Sequence, residues 1–176
     1  MIDLKFQEKT TEQKYQRKIL IDGVELIENK LFSDNGGNFA EILRYGQEVV
    51  EGLQSDFKIK QLSWSYVLPQ TIKAYHYHLL QEDLWFVPPF DRLIVNLHDL
   101  RKDSPTFDQH MTLTLGGGKN LLLRIPAEVA HGCGNPYQKP MTLFYATSNQ
   151  FNPNKPDEKR LNFDFFGTDV WSIEKG

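Results

Sequence analysis

The chain has 176 residues, 40% of them hydrophobic and 24% charged, which is enough for one domain with its own hydrophobic core. Its 20 basic and 23 acidic residues give a net charge of −3 without a basic stripe, which argues against nucleic-acid binding. The chain has no apolar run of about 20 residues, no secretory signal and one cysteine, Cys133. We therefore expect a cytoplasmic protein with no internal disulfide that does not bind membranes.

The predicted elements begin after a polar N-terminal segment, residues 1–18, which we expect to form an arm of a single domain spanning 1–176. Short runs of aliphatic, aromatic and β-branched residues then recur between turns rich in Gly, Pro and Asn, and each predicts a strand. These runs are 19–21, 24–27, 57–60, 62–67, 93–98, 111–115, 121–125 and 141–147. Many short strands at this spacing predict an antiparallel β-sandwich or barrel.

Two segments are candidates for helices, and one glycine run needs an interpretation. Residues 40–53 predict a helix because Val49, Val50 and Leu53 follow a helical period. A short terminal helix after Asp157 is the second candidate. Glycines 116–118 precede neither a helix start nor a Gly-Lys-Ser/Thr sequence, so they predict a hairpin turn rather than a phosphate-binding loop.

The residues most able to carry chemistry are histidines on or after strands. His76 and His78 are two residues apart, so on a strand they project from the same face. Glu82 follows four residues later, and His131 follows another strand. Three imidazoles and a carboxylate can ligate a divalent transition metal. An aromatic-rich core strand with two hydrogen-bonded histidines is the alternative, and the residues alone leave both open.

The spacing of these residues resembles the two short motifs of the cupin superfamily. Residues 76–82 are similar to His-x-His, three residues, then Glu, and residues 126–135 are similar to Pro-x-Gly-x-x-His-x-x-x-Asn, with Glu128 in place of the glycine. A cupin is a small β-barrel of the jelly-roll type. The resemblance therefore implies a mostly β fold, a cupin-type jelly-roll barrel with few short helices, which agrees with the strand pattern.

A longer resemblance, over about residues 20 to 171, is to the dTDP-4-dehydrorhamnose 3,5-epimerase family. Residues 99–107 read Asp-Leu-Arg-Lys-Asp-Ser-Pro-Thr-Phe, and residues 125–132 read Ile-Pro-Ala-Glu-Val-Ala-His-Gly, both similar to motifs of that family. Residues 34–41 and 73–78 resemble two further motifs. Asp164 and Trp171 keep the family's Asp-to-Trp spacing near the C-terminus.

The resemblance implies an isomerase that removes a proton beside the ketone of a nucleotide-linked 4-keto-6-deoxy sugar, without a cofactor. Such chemistry needs a base, a group that stabilises the enolate oxygen, and an acid on the opposite face. The resemblance puts the base at His76, with Asp164 as the carboxylate that orients it. It also implies a homodimer and a set of substrate-binding residues, namely Phe39, Glu41, Gln61, Ser63, Lys73, His131 and Tyr145.

Three positions depart from the family pattern and leave alternatives open. The family's enolate-stabilising lysine aligns near Leu84, its acid tyrosine is Phe151, and its phosphate-facing arginine is Gly36. We favour an epimerase or keto-shift isomerase that uses His76, with Tyr145 or Tyr77 as the acid. The second hypothesis is a metal-dependent cupin enzyme in which a divalent transition metal is ligated by His76, His78, Glu82 and His131. The third is a non-catalytic sugar-binding cupin.

Overall fold

The computed structural model describes residues 2–12 and 21–173. Within the predicted N-terminal arm it contains one short helix, α1 (Leu4–Gln7), whose residues are all exposed. The Asp3 carboxylate caps this helix by accepting a hydrogen bond from the backbone amide of Lys5. Residues 13–18 of the arm, and residues 19 and 20 of the strand predicted at 19–21, lie outside the described residues.

Two five-stranded antiparallel sheets form the body of the described chain. The first sheet, in spatial order, consists of β1 (Glu25–Asn29), β11 (Asn120–Ile125), β8 (Asp83–Phe86), β13 (Met141–Thr147) and β6 (Gln61–Val67). The second consists of β10 (His110–Gly116), β9 (Arg92–Asp99), β12 (Val129–Asn135), β7 (Thr71–Tyr77) and β14 (Lys159–Arg160). Consecutive strands alternate between sheets in several places, so the chain encloses a barrel, as the strand pattern predicted.

Smaller elements flank the two sheets. One hairpin pairs β2 (Leu31–Asp34) with β3 (Gly37–Ala40), and another pairs β4 (Tyr45–Gly46) with β5 (Val49–Val50). A 3₁₀ helix (Asp169–Trp171) lies near the C-terminus, in the region where a short terminal helix was expected. No helix in the described ranges is long and apolar enough to cross a membrane.

The main hydrophobic core lies between the two sheets, because alternate residues of their strands point inward. The outer faces are covered separately. Val50 and Phe57 pack with Leu84 and Leu122 on the first sheet, and Trp171 packs with Tyr75 on the second. Aliphatic side chains fill one end of the interior. Polar residues of the same strands line the rest of it.

The helix predicted at 40–53 is wrong. This segment forms the hairpin β4–β5, because Gln47 and Glu48 adopt positive φ angles of 50° and 64° and turn the chain back. Val49 and Val50 are β-branched and enter a strand instead. Residues 57–60, predicted as a strand, form none, although Phe57 is buried against the first sheet.

Glycines 116–118 do form a turn, but it is not a hairpin within one sheet. β10 belongs to the second sheet and β11 to the first, so the turn carries the chain from one sheet to the other. All three glycines have positive φ angles, and a Cβ on Gly116 would lie 2.2 Å from the carbonyl oxygen of Asp91. The tight approach explains why glycine is required there.

Candidate active site

A pocket of about 1290 Å³ opens between the two sheets. The first sheet contributes residues of β6, β8 and β13 to its wall, and the second contributes β7 and β14. Residues 149–158, which connect β13 to β14, close another side. Since pockets for drug-sized ligands usually measure about 300–1,000 Å³, this one has room for a ligand larger than a single sugar.

Three histidines meet at the inner end of this pocket. His76 in β7 pairs in register with His131 in β12, and their ring centroids are 4.1 Å apart. A Cβ on Gly132 would lie 2.3 Å from the Cβ of Ala74, so the glycine permits the close approach of these two strands. The ring of His78, one residue beyond β7, lies 5.4 Å from that of His76 and 5.5 Å from that of His131.

The carboxylate that joins the histidines is Asp83, the first residue of β8. Its Oδ2 lies 3.4 Å from His131 Nε2, and its Oδ1 lies 3.8 Å from His78 Nε2. The Gln81 amide donates a hydrogen bond to Oδ1 at 2.8 Å, and the Trp85 indole donates one to Oδ2 at 3.1 Å. One ligand atom from each of the four clustered side chains lies within 4.8 Å of the others: His76, His78, Asp83 and His131.

The prediction that Glu82 is a metal ligand is therefore wrong. Its carboxylate pairs with Arg124, whose Nη2 lies 2.6 Å away, and it does not line the pocket. Side chains on a strand alternate between faces, so the shift of one residue from Glu82 to Asp83 decides which carboxylate meets the histidines.

Asp164, predicted to orient His76, also lies elsewhere. It is exposed, does not line the pocket, and makes no hydrogen bond with His76 within the described residues. Its backbone carbonyl accepts a hydrogen bond from Gly167 in a turn that precedes the 3₁₀ helix. The prediction that Asp164 orients His76 is therefore wrong, because the turn leaves the Asp164 side chain at the surface.

Three predicted substrate-binding residues line the pocket, namely Gln61, Lys73 and Tyr145. Lys73 Nζ donates a hydrogen bond to Ser65 Oγ at 2.8 Å, which places this cation at the wall formed by β6 and β7. Ser63 accepts a hydrogen bond from the Gln61 amide at 3.0 Å, so it supports the lining without belonging to it. His131 is 1% exposed and lies behind the wall rather than on it.

Phe39 and Glu41 lie outside the pocket of their own chain. Phe39 is in the β2–β3 hairpin and is 65% exposed, with its ring 6.2 Å from that of Phe32. Glu41 pairs with Arg44 at the surface. The prediction that these two residues line this pocket is thus corrected: the hairpin is a separate two-stranded sheet beside the barrel.

Charged side chains of residues 149–160, which were not predicted from the sequence, also line the pocket. Lys155, Lys159 and Arg160 line the pocket, and Arg160 pairs in register with His76 through β14 and β7. Phe151, at the family's acid position, lines it as well. The charged run 155–160 is visible in the sequence, but such a run is more typical of a solvated surface, so it did not identify the pocket.

Asp157 fastens this segment to the chain that follows β7. Its carboxylate accepts hydrogen bonds from the backbone amides of residues 79, 80 and 81 at 2.8–2.9 Å, and its carbonyl oxygen accepts one from His78 Nδ1. Burial alone raises the pKa of Asp157, but the three amides outweigh it, and the pKa is lowered from its usual value. The loop therefore fixes the orientation of His78.

Electrostatics keep His76 neutral and Asp83 ionised. Burial, together with the neighbouring His131, lowers the pKa of His76 well below its usual value. For Asp83, burial raises the pKa, but His131 and His78 lower it by more, and the carboxyl remains ionised. A neutral imidazole at the pocket wall can accept a proton from a ligand.

Comparison with known proteins agrees with this geometry. Residues 18–169 match the family model described as dTDP-4-dehydrorhamnose 3,5-epimerase. The spore coat polysaccharide biosynthesis protein SpsL of Bacillus subtilis (strain 168) is 40% identical over 145 residues, which are 82% of this chain and 91% of that protein. The probable low-salt glycan biosynthesis epimerase Agl13 of Haloferax volcanii is 29% identical over 144 residues, which are 82% of this chain and 89% of that one.

Solved structures show the same architecture. The dTDP sugar isomerase from Desulfovibrio desulfuricans G20 superposes with a TM-score of 0.73 at 25% identity, over 90% of this chain and 94% of that chain. The dTDP-4-dehydrorhamnose 3,5-epimerase from Bacillus anthracis str. Ames, solved with TDP and PPi bound, gives 0.69 at 26% identity, over 81% of this chain and 80% of that chain. The chain therefore belongs to the dTDP-4-dehydrorhamnose 3,5-epimerase family, as its motifs and jelly-roll fold predicted, and it is a nucleotide-sugar epimerase of the isomerase class.

Proposed function

We propose that this protein removes a proton beside the ketone of a dTDP-linked 4-keto-6-deoxy sugar, and that His76 is the base. One observation carries the proposal: His76 is the histidine of the cluster that is not fully buried, and it lines the pocket in its neutral form. A neutral imidazole within reach of a bound ligand is the usual general base near neutral pH.

The other two roles of the reaction are assigned to residues around His76. Arg160 lies opposite His76 in the β14–β7 register and supplies a positive charge near the developing enolate. Tyr145 lines the pocket from the first sheet, whereas His76 lines it from the second, so Tyr145 is the candidate acid for the opposite face. Tyr77, the other acid considered, does not line the pocket.

The remaining cations support binding of the nucleotide part. Lys73, Lys155 and Lys159 line the pocket, and a diphosphate needs such positive groups. The relative from Bacillus anthracis was solved with TDP and PPi bound, which supports dTDP as the nucleotide.

Solvent isotope exchange tests this function. In D₂O, the wild-type protein should place deuterium beside the ketone of a dTDP-4-keto-6-deoxy sugar, as measured by NMR or mass spectrometry. His76→Asn should slow the exchange by about 10²–10⁴-fold, the usual contribution of a general base. Asp164→Asn is the matched control and should retain exchange within about tenfold, about 1.4 kcal/mol, because its side chain is exposed. Undiminished exchange in a folded His76→Asn protein would contradict the assignment.

We also propose a cytoplasmic homodimer in which residues 1–176 form one domain with residues 1–18 as an N-terminal arm. β6 is an edge strand, and it exposes Leu62, Trp64 and Tyr66 on one face, an apolar row that a second copy can cover. The family resemblance places Phe39 on the substrate, yet the β2–β3 hairpin lies outside its own pocket. A partner's hairpin reaching this pocket reconciles the two.

A complementation experiment tests the exchanged hairpin. Light scattering should give twice the 20.5 kDa chain mass, and Trp64→Glu should reduce it to one chain. Phe39→Ala and His76→Asn proteins, each with little activity, should regain activity when mixed and reassembled, because one site of the mixed dimer then carries neither change. If Phe39 serves its own pocket, mixing will restore nothing.

A further inference from the structure

We infer that His78, Asp83 and His131 form a binding site for one divalent transition-metal ion at the inner end of the pocket, behind His76. The site goes beyond the proposed reaction, in which none of these three residues has a role. It also differs from the ligand set that the sequence predicted, since Asp83 takes the place of Glu82 and His76 is left free.

The two histidines are held in the orientation that metal-ligating histidines usually have. His131 Nδ1 lies 2.8 Å from the carbonyl oxygen of Val129, and His78 Nδ1 contacts the carbonyl oxygen of Asp157. A carbonyl only accepts hydrogen bonds, so each Nδ1 carries a proton and Nε2 is the ring nitrogen that faces Asp83. Such an outer hydrogen bond is the usual means of orienting a metal-ligating histidine.

The two Nε2 atoms face the Asp83 carboxylate at distances that suit a metal. The separations from Asp83 oxygens, 3.4 Å to His131 Nε2 and 3.8 Å to His78 Nε2, exceed the roughly 2.7–3.2 Å of a hydrogen bond. Ligand atoms about 2.0–2.1 Å from a tetrahedral metal are about 3.4 Å from each other. His131 Nε2 is fully buried and has no hydrogen-bond partner within the described residues.

Gln81 marks the position that the ion would take. Its amide nitrogen lies 3.3 Å from His78 Nε2 and 2.8 Å from Asp83 Oδ1, so the amide now contacts both groups. A cation in the same place would satisfy these acceptors together with the buried Nε2 of His131. Two imidazoles and one carboxylate suit zinc, iron, manganese, cobalt or nickel.

His76 is not part of the oriented set. Neither of its ring nitrogens makes a hydrogen bond within the described part of the chain, and it is less buried than the other three residues. It therefore remains available as the base. A cation beside Asp83 would also supply positive charge to the pocket from the part of β8 near which the family's enolate-stabilising lysine aligns. That catalytic role rests on the proposed function, whereas the binding site does not.

Metal binding to the untagged, chelator-dialysed protein tests the site directly. Equilibrium dialysis with Zn²⁺, and the visible spectrum after Co²⁺ addition, should show one ion per chain in a low-coordinate nitrogen–oxygen site. Asp83→Asn and His78→Gln should each weaken binding by at least tenfold. Glu82→Gln, which changes the residue directly before Asp83, is the matched control and should bind the ion as the wild type does. His76→Asn should keep one ion per chain.

The outcomes separate this inference from the proposed function. The site would be overturned if the folded wild-type protein bound no ion at about 100 μM Zn²⁺. It would also be overturned if Asp83→Asn bound the ion as tightly as the wild type. Loss of the ion in His76→Asn would overturn the three-residue assignment. If one ion binds but no keto sugar exchanges deuterium, the proposed function fails and the site stands. Exchange at full rate in metal-free protein would overturn the catalytic role of the ion alone.

Discussion

Two buried carboxylates, Asp83 and Asp99, lie in different parts of the barrel and are satisfied in opposite ways. Asp99 is 0% exposed, and its two oxygens accept five hydrogen bonds from Arg101, Ser104 and Thr106. Asp83 is 3% exposed and accepts two, while two histidines face it beyond hydrogen-bonding distance. Hydrogen bonds within the protein satisfy the Asp99 carboxylate, whereas the Asp83 carboxylate can still bind a group in the pocket.

The difference shows that the strongest sequence motif need not contain the catalytic residues. Residues 99–107 carry the clearest family resemblance, yet their polar groups bind one another and the start of the first sheet. Thr106 Oγ1 accepts a hydrogen bond from the Asp22 amide, and Arg101 Nη2 donates one to the Asp22 carbonyl oxygen. This motif joins a loop to the strand that follows Asp22, so its function is to stabilise the fold.

The largest effect on the free energy of unfolding should come from removing the Asp99 carboxylate, which is fully hydrogen-bonded within the protein. Asp99→Ala leaves the Arg101 guanidinium and two hydroxyls without their acceptor, and breaking a buried pair in this way costs about 3–5 kcal/mol. Urea unfolding should show a loss of this size. Asp103→Ala, an exposed acid in the same loop, is the control and should change the free energy of unfolding by less than about 0.5 kcal/mol. Equal effects at both positions would refute the assignment.

Acid should weaken the Asp99 cluster in a defined pH range. Burial raises the pKa of Asp99, but hydrogen bonds from Arg101, Ser104 and Thr106 lower it by more, so the folded pKa lies below that of the unfolded chain. The resulting stability is fully present above the unfolded value of about 3.9 and is lost as the pH falls below it. The free energy of unfolding of Asp99→Asn should therefore depend less on pH, by up to about 1.4 kcal/mol per pH unit. Parallel curves for the two proteins between pH 5 and 2 would contradict this.

A smaller effect on the free energy of unfolding is expected at Asp157, which lies near Asp83. Asp157→Ala removes the acceptor of three backbone amides, and losing a cap of this kind costs about 0.5–2 kcal/mol. Because the same residue anchors His78 through its carbonyl, Zn²⁺ binding should weaken as well. Asp157→Asn keeps one acceptor oxygen and should lie between the wild type and Asp157→Ala in both measurements. A change in stability without a change in Zn²⁺ affinity would separate the loop from the site.

The fold could be predicted to a large extent because strand patterns are local. The run 141–147 has the same bounds as β13, and alternation at 62–67 matches the burial of β6. The helix at 40–53 failed because a helical spacing of Val49, Val50 and Leu53 does not reveal that Gln47 and Glu48 turn the chain. Positive φ angles at residues other than glycine leave little trace in a sequence.

The site was less predictable because it depends on contacts distant in sequence. His76 and His131 were identified from motif spacing, but the choice between Glu82 and Asp83 turns on where a strand begins by one residue. Arg160 reaches His76 only through the two-residue strand β14, and Asp164 stays outside the pocket because it begins a four-residue turn that ends at Gly167. Local patterns cannot place such segments.

The smallest predicted effect lies between the two carboxylates, at Glu128, where the family motif has glycine. Glu128 has a φ of 60°, its amide donates to the His78 carbonyl at 2.7 Å, and its carbonyl accepts from the Leu100 amide next to Asp99. A left-handed residue other than glycine costs about 1–2 kcal/mol, part of which the greater freedom of glycine in the unfolded chain offsets. Glu128→Gly should therefore stabilise the protein by about 0.5–1 kcal/mol in urea unfolding. Glu128→Ala removes the same charge but keeps the Cβ, so it should give no gain. Equal stabilisation by both changes would attribute the effect to charge rather than to backbone strain.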